Sequence, residues 1–283
     1  MVVVAGALRL FHPRRESLAQ FAGLAALIAL AALTQHRTRD WRDPISLWSA
    51  TVEESPDSSR SWNALGAQLR NADRKQEAEA AFLRSIELQP GLWDALFNLG
   101  TLHLEYASEP DRNRAAELAQ ARHWLEKSLE PLPDSQRSRW CLADVLYNQR
   151  DFGAAEEIYV DLASEDERFH EGSRIPLGRI ALLTGRLDIA DAYFDEAMAK
   201  RDDRLNAVLG LSVAAEMRDD KKKAIEITRG ALTSHRASPL PWLRMAELHA
   251  GTAAARGYLH QASERGYEVT DAQRAALLPR DGR

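Results

Sequence analysis

From Ser59 onward the chain repeats itself at a period close to 34 residues, and this limits its fold more than any other feature. With Ser59 as the first position of a unit, Trp62 falls at position 4, Leu65 at 7, Gly66 at 8, Ala78 at 20, Phe82 at 24, Ser85 at 27 and Pro90 at 32. Further units begin at Trp93, Gln136, Glu171, Leu205 and Pro239, in steps of 34, 43, 35, 34 and 34 residues. Position 7 reads Leu65, Leu99, Leu142, Leu177, Leu211 and Met245; position 8 reads Gly66, Gly100, Ala143, Gly178, Ser212 and Ala246. Position 20 is alanine in every unit, from Ala78 through Ala121, Ala155, Ala190 and Ala224 to Ala255 after a shortening of three residues. Position 24 reads Phe82, Leu125, Tyr159, Phe194, Thr228 and Leu259.

These spacings describe two helices per unit. Positions 4, 7, 8 and 11 make one stripe on helix A, and positions 20, 24 and 27 make one stripe on helix B. Small residues at 8 and 20 let the helices approach closely, and the bulky residue at 24 fills the space beside them. A hairpin so built covers its remaining apolar face only against neighbouring hairpins, which predicts an all-α solenoid, a right-handed superhelix of six hairpins over 59–268. Replacing Leu65, Leu142 or Leu177 with alanine is expected to cost roughly 2–5 kcal/mol of local stability. Pro90 and Pro133 are read as helix B stops.

Irregularities carry information as well. Arg139 and Arg174 occupy position 4, where the first and last units have tryptophan. About nine extra residues around Tyr106 to Ala115 enlarge the second unit, with a turn at Ser108-Glu109-Pro110-Asp111. Upstream, Trp48, Thr51 and Pro56 keep the register of positions 24, 27 and 32, so Pro44 to Glu54 reads as a lone B-type helix within a half-repeat over 41–58. Thr270-Asp271-Ala272-Gln273 reads as the cap and first turn of a short closing helix ending near Leu278, within a tail over 269–283.

Before the repeats, and after a short segment 1–16, residues 17–35 carry no ionisable side chain. Such a stretch approaches the length that crosses a hydrocarbon core of about 30 Å, so it is a candidate transmembrane helix. A cleaved signal peptide is the rival reading, because Arg14 and Arg15 precede the apolar run and Ala29-Leu30-Ala31 resembles a cleavage site. Arginines balance across the stretch, Arg9, Arg14 and Arg15 against Arg37, Arg39 and Arg42, so charge does not assign a side.

Catalytic chemistry finds little support. No Gly-rich phosphate loop, GxSxG elbow, HExxH or CxxC pair is present, and one cysteine, Cys141, cannot build a thiolate cluster. His103 and His249 both fall at position 11, an aromatic packing place. Glu53-Glu54, Asp202-Asp203 and Asp219-Asp220 read as solvated caps, and Lys221-Lys222-Lys223 as a solvated turn. A net charge of −5 gives no footprint for nucleic acid. The chain is therefore read as a binding protein without cofactor or metal, not an enzyme.

From Pro44 to about Gly266 the chain resembles tetratricopeptide repeat (TPR) proteins, on the signature residues given above. The junction Thr38-Arg39-Asp40-Trp41-Arg42-Asp43, then Leu47-Trp48 and Pro56, resembles the hinge of transmembrane-and-TPR O-mannosyltransferase-like proteins. That family's membrane catalytic domain has no counterpart in this sequence, so glycosyl transfer does not carry over. Its topology implies repeats on the periplasmic or otherwise exoplasmic side. The TPR resemblance implies a groove lined by A helices at positions 2, 5, 9, 12 and 13, which here gives Arg60, Asn63, Arg70, Phe97, Arg137, Trp140, Asp144, Tyr147 and Arg179. Packing of Trp140 and Tyr147 against neighbouring helices is the alternative. The chaperone-binding carboxylate clamp does not match, since Asn63 and Ala67 replace its lysine and asparagine. The expected function is a membrane-tethered scaffold that binds another protein or peptide. The alternative is the accessory TPR region of a membrane O-glycosyltransferase system.

Overall fold

The structure is a computed structural model that describes residues 21–31, 43–165, 167–198 and 204–279. All of its regular elements among the described residues are helices. The chain divides into two compact units, Met1–Pro133 and Asp134–Arg283. The first holds α1 (residues 21–31), α2 (Pro44–Glu54), α3 (Ser59–Asn71), α4 (Lys75–Leu88), α5 (Trp93–Tyr106) and α6 (Arg114–Leu129). The second holds α7 (Gln136–Asn148), α8 (Phe152–Glu165), α9 (Glu167–Leu183), α10 (Leu187–Met198), α11 (Arg204–Met217), α12 (Lys221–Ser234), α13 (Leu240–Leu248), α14 (Ala253–Glu264) and α15 (Asp271–Leu277). From α3 to α14 the helices pair in sequence as six hairpins, each helix A packed on its own helix B. This is the TPR pattern.

The close approach required at position 8 is visible atom by atom. A methyl group on Gly66 would sit 2.6 Å from the Phe82 ring, one on Gly178 2.6 Å from Phe194, and one on Gly100 2.8 Å from Leu125. All three opposing side chains are fully buried. Phe194 also fills the space over Gly210, on the A helix of the next hairpin, so one ring locks two hairpins together. The fifth hairpin solves the same contact differently, with the Ser212 and Thr228 hydroxyls 2.8 Å apart in a closed interior.

Helix α2 packs on the first hairpin. Asp43 caps it by accepting from the Ser46 backbone N–H at 2.9 Å. Ile45, Trp48 and Val52 join the cluster built on Leu65, Leu69 and Phe82, covering the outer face of the first hairpin. At the other end, Thr270 and Gln273 form a reciprocal capping box that starts α15.

Several expectations need correction. Helix α6 ends at Leu129, four residues before Pro133, because Pro131 already lacks the N–H that would bond the Lys127 carbonyl. Helix α9 starts at Glu167, ahead of the Glu171 repeat boundary, and carries Pro176 inside it. Lys221, Lys222 and Lys223 form the first turn of α12, not a loop, with Asp220 as the cap. The arginines at position 4 are not simple losses of packing. Arg139 meets Glu165 at 2.6 Å and Arg174 meets Glu196 at 3.1 Å, each tying helix A to the end of its own helix B. The long insertion is also pinned: Glu109 meets Lys75 at 2.6 Å, and the Arg112 guanidinium lies 3.9 Å over the Tyr106 ring.

A turn device emerges that residue types alone conceal. Asp73, Arg150, Gly185 and Asp219 have φ of 59°, 65°, 76° and 64°, and each is position 15 of its repeat. The following N–H bonds back five residues, as from Asp151 to the Leu146 carbonyl at 2.9 Å, which closes the A helix in a Schellman motif. A left-handed conformation costs a residue with a Cβ roughly 1–2 kcal/mol.

Two substitutions test this packing in opposite directions. Gly178→Ala must displace the Phe194 ring and is expected to destabilise the fold by about 1–3 kcal/mol. Arg150→Gly, unlike glycine inside a helix, is expected to be neutral or to stabilise by up to about 1 kcal/mol. Urea unfolding followed by circular dichroism measures both.

Candidate protein-binding face

In the first unit, three expected groove residues are engaged within the fold. Asn63 accepts from Asn98 at 2.9 Å, joining α3 to α5. Arg70 donates to the Thr101 hydroxyl at 2.9 Å and meets Glu105 at 3.0 Å, extending the same bridge. Phe97 is buried, 6% exposed, with Trp93 beside it at 6.3 Å between ring centroids, so it is not part of an open face. Spacing within one repeat does not reveal that this position is closed. Arg60 is exposed near the start of α3.

In the second unit, Trp140 takes the packing alternative. Its ring is 5.1 Å from Tyr159 edge-on and 5.5 Å from Phe169, and it leaves only 3.2 Å for a methyl on Gly172. Asp144 accepts a hydrogen bond from the Tyr159 hydroxyl. Burial raises the Asp144 carboxyl above the ordinary carboxylate range, against the opposing hydrogen bonds from Tyr159 and Trp140. Burial, then the nearby Asp144 charge, raises the Tyr159 phenol. Tyr147 packs against Phe152 at 5.7 Å. Arg137 is exposed on the first turn of α7.

Tyr147 and Arg179 are the two expected residues that the fold brings together at an open place. With Leu182, Leu183, Val213 and Met217 they line a depression of about 290 Å³ across α7, α9 and α11. Leu183 and Met217 are 54% and 50% exposed, while Leu182 forms a buried floor. Among the described residues, Arg179 reaches the Asn206 side-chain oxygen, at 3.4 Å. The four aliphatic residues stand at positions 9, 12 and 13 of their repeats. Tyr147 and Arg179 stand at positions 12 and 9, so the same register takes in these aliphatic residues as well.

The chemistry-bearing residues elsewhere serve the fold. His103 lies 2.7 Å from Glu117, both buried, and edge-on to Tyr106. The His249 ring packs on Tyr258 at 5.3 Å. Cys141 is half-buried on α7. Glu53 and Glu54 end α2, and Asp202-Asp203 lie outside the described residues.

The Asp144 environment has a pH consequence. Its folded-state value is raised, so the native protein keeps this proton to higher pH than the unfolded chain does, and raising pH through that window removes stability. Asp144→Asn retains an acceptor for Tyr159 and removes the titration. The variant is expected to gain stability relative to the parent between the ordinary value of 3.8 and neutrality, read by urea unfolding across that range.

No family model matches the chain. Among curated proteins it is 24% identical over 212 residues to the mouse protein O-mannosyl-transferase TMTC3, covering 72% of this chain and 20% of that protein. It is 38% identical over 56 residues to the peroxisomal targeting signal receptor of Candida albicans, covering 20% of this chain and 10% of the receptor. The chain thus spans a fifth or less of the length of these relatives. Among solved structures it is similar to a tetratricopeptide repeat protein of Parabacteroides merdae, with a TM-score of 0.63 and 15% identity over 83% of this chain and 91% of that one. It is also similar to YrrB, a TPR protein with an unusual peptide-binding site, with a TM-score of 0.54 and 16% identity over 67% and 92% of the two chains. The fold is a TPR array, and TPR proteins mediate protein–protein interaction.

Proposed function

We propose that this chain is a membrane-tethered TPR scaffold that binds a protein partner on the A-helix face of its second unit. The observation carrying the binding reading is the depression at Tyr147 and Arg179, where half-exposed aliphatic side chains sit beside a loosely held guanidinium. Such a mixture is what interaction hot spots use, since apolar area gives affinity and a directional charge gives selectivity.

The tether rests on the segment 17–35. Within its described part, residues 21–31 form a helix whose every residue is exposed, including Phe21 at 70%, Leu27 at 65% and Ile28 at 61%. Apolar side chains so displayed call for a covering phase. Among the described residues no helix is long and apolar enough to cross a membrane, and the remainder of the proposed span lies outside them. The exoplasmic placement of the repeats rests on the resemblance of the hinge.

The alignment with TMTC3 supports a second reading, in which the repeats are the accessory part of a membrane O-glycosyltransferase system. Alkaline phosphatase and a cytoplasm-dependent reporter, each fused after Arg283, test the tether. Phosphatase activity in the membrane fraction is expected. Activity of the cytoplasmic reporter alone would reverse the topology, and release of a shorter soluble product would replace the tether with a cleaved signal. Affinity capture from detergent extracts tests the binding reading: Arg179→Glu is expected to lose partners that the parent retains.

A further inference from the structure

Resting on the protein-binding reading above, we infer that the depression over α7, α9 and α11 recognises an acidic amphipathic segment. One bulky apolar side chain enters between Leu183 and Met217, and a neighbouring carboxylate meets Arg179. The volume of about 290 Å³ is at the lower limit for small-molecule pockets, which run roughly 300–1,000 Å³, and suits one inserted side chain better than a whole metabolite.

The sign of the partner's charge follows from which groups on this face are already committed. Position 9 carries Asp144, Arg179 and Val213 in successive repeats, and position 12 carries Tyr147, Leu182 and Glu216. Asp144 is held by the Tyr159 hydroxyl and its carboxyl is raised by burial, so its negative charge is turned inward. Glu216 is held at 2.6 Å by Arg244, a buried guanidinium that also donates to Ser212 at 3.2 Å. Arg218, at the end of α11, is occupied by Asp188 at 2.8 Å and Asp191 at 2.9 Å. Among these described groups, Arg179 is the exposed one whose partner carries no charge, the Asn206 side-chain oxygen at 3.4 Å. The available charge beside the apolar cradle is therefore positive. An acidic segment gains a charge-assisted hydrogen bond there, whereas a basic one meets a like charge, the carboxylates of Asp144 and Glu216 being already engaged. A nucleic-acid strand is disfavoured, because one guanidinium cannot track a phosphate backbone.

The test is a display library of short random peptide segments panned on the full chain in detergent, with the enriched sequences synthesised and titrated. Enriched segments are expected to combine Asp or Glu with a nearby Leu, Met, Phe or Trp. Arg179→Glu is expected to weaken them about tenfold or more and to shift a repeated selection toward basic residues. Leu183→Asp should weaken the same segments without changing charge preference. Both positions are exposed, and unchanged helicity and melting verify that the variants fold. Enrichment of basic segments, or of segments indifferent to both substitutions, would overturn the inference while leaving protein binding intact. Failure to enrich any segment would overturn both readings.

Discussion

Close approach of two helices at a glycine, with an aromatic or leucine side chain filling the space beside it, is the contact on which the rest of this protein depends. Gly66 with Phe82, Gly100 with Leu125 and Gly178 with Phe194 leave no room for even one methyl group. Because protein interiors are packed to crystal-like density, that contact fixes both the distance and the rotation of helix A against helix B. Rotation determines which side chains are committed to the hairpin and which remain for neighbours or partners. Phe194 extends the constraint between repeats by also covering Gly210, so the fourth and fifth hairpins share a single ring. The Ser212–Thr228 pair shows that the contact tolerates other chemistry when the hydroxyls satisfy each other.

From that rotation follow the character of the A-helix surfaces. In the first unit Asn63, Asn98, Arg70 and Glu105 are absorbed in bridges from α3 to α5. In the second unit, Asp144 and Trp140 turn toward Tyr159, while Leu183, Met217 and Arg179 stay at the surface. The difference between a stapled surface and an open one thus comes from a few side-chain commitments, with the same helical framework underneath.

Much of the framework was legible in the sequence because its cause is periodic. The small residue at position 8, the alanine at 20 and the bulky residue at 24 are needed in each hairpin, so they recur and betray the register. The α2 half-repeat and the α15 capping box were readable for the same reason: Trp48 keeps the spacing, and Thr270 with Gln273 is a local signal. The left-handed turn at position 15 was not, because aspartate, arginine and glycine all occupy it and only the geometry unites them. Pro176 lies within α9, although proline removes an intrahelical hydrogen bond. At the candidate site, spacing nominated Tyr147 and Arg179, which line one depression, but it could not show that Phe97 is enclosed or that Arg70 is engaged. Those outcomes depend on contacts between repeats. The aliphatic cradle was missed for a different reason, since leucine and methionine at positions 9 to 13 look like ordinary core.

Site-specific photocrosslinking in the native membrane tests the central claim most directly, that the protein's partner lies on the A-helix face of the second unit. A photoreactive residue would replace Leu183 or Met217 on that face, and Val160 or Ile189 on B helices, all four being substantially exposed. The account predicts one common crosslinked partner from positions 183 and 217 and none from 160 and 189. A partner captured from the B-helix positions alone, or equally from all four, would contradict it.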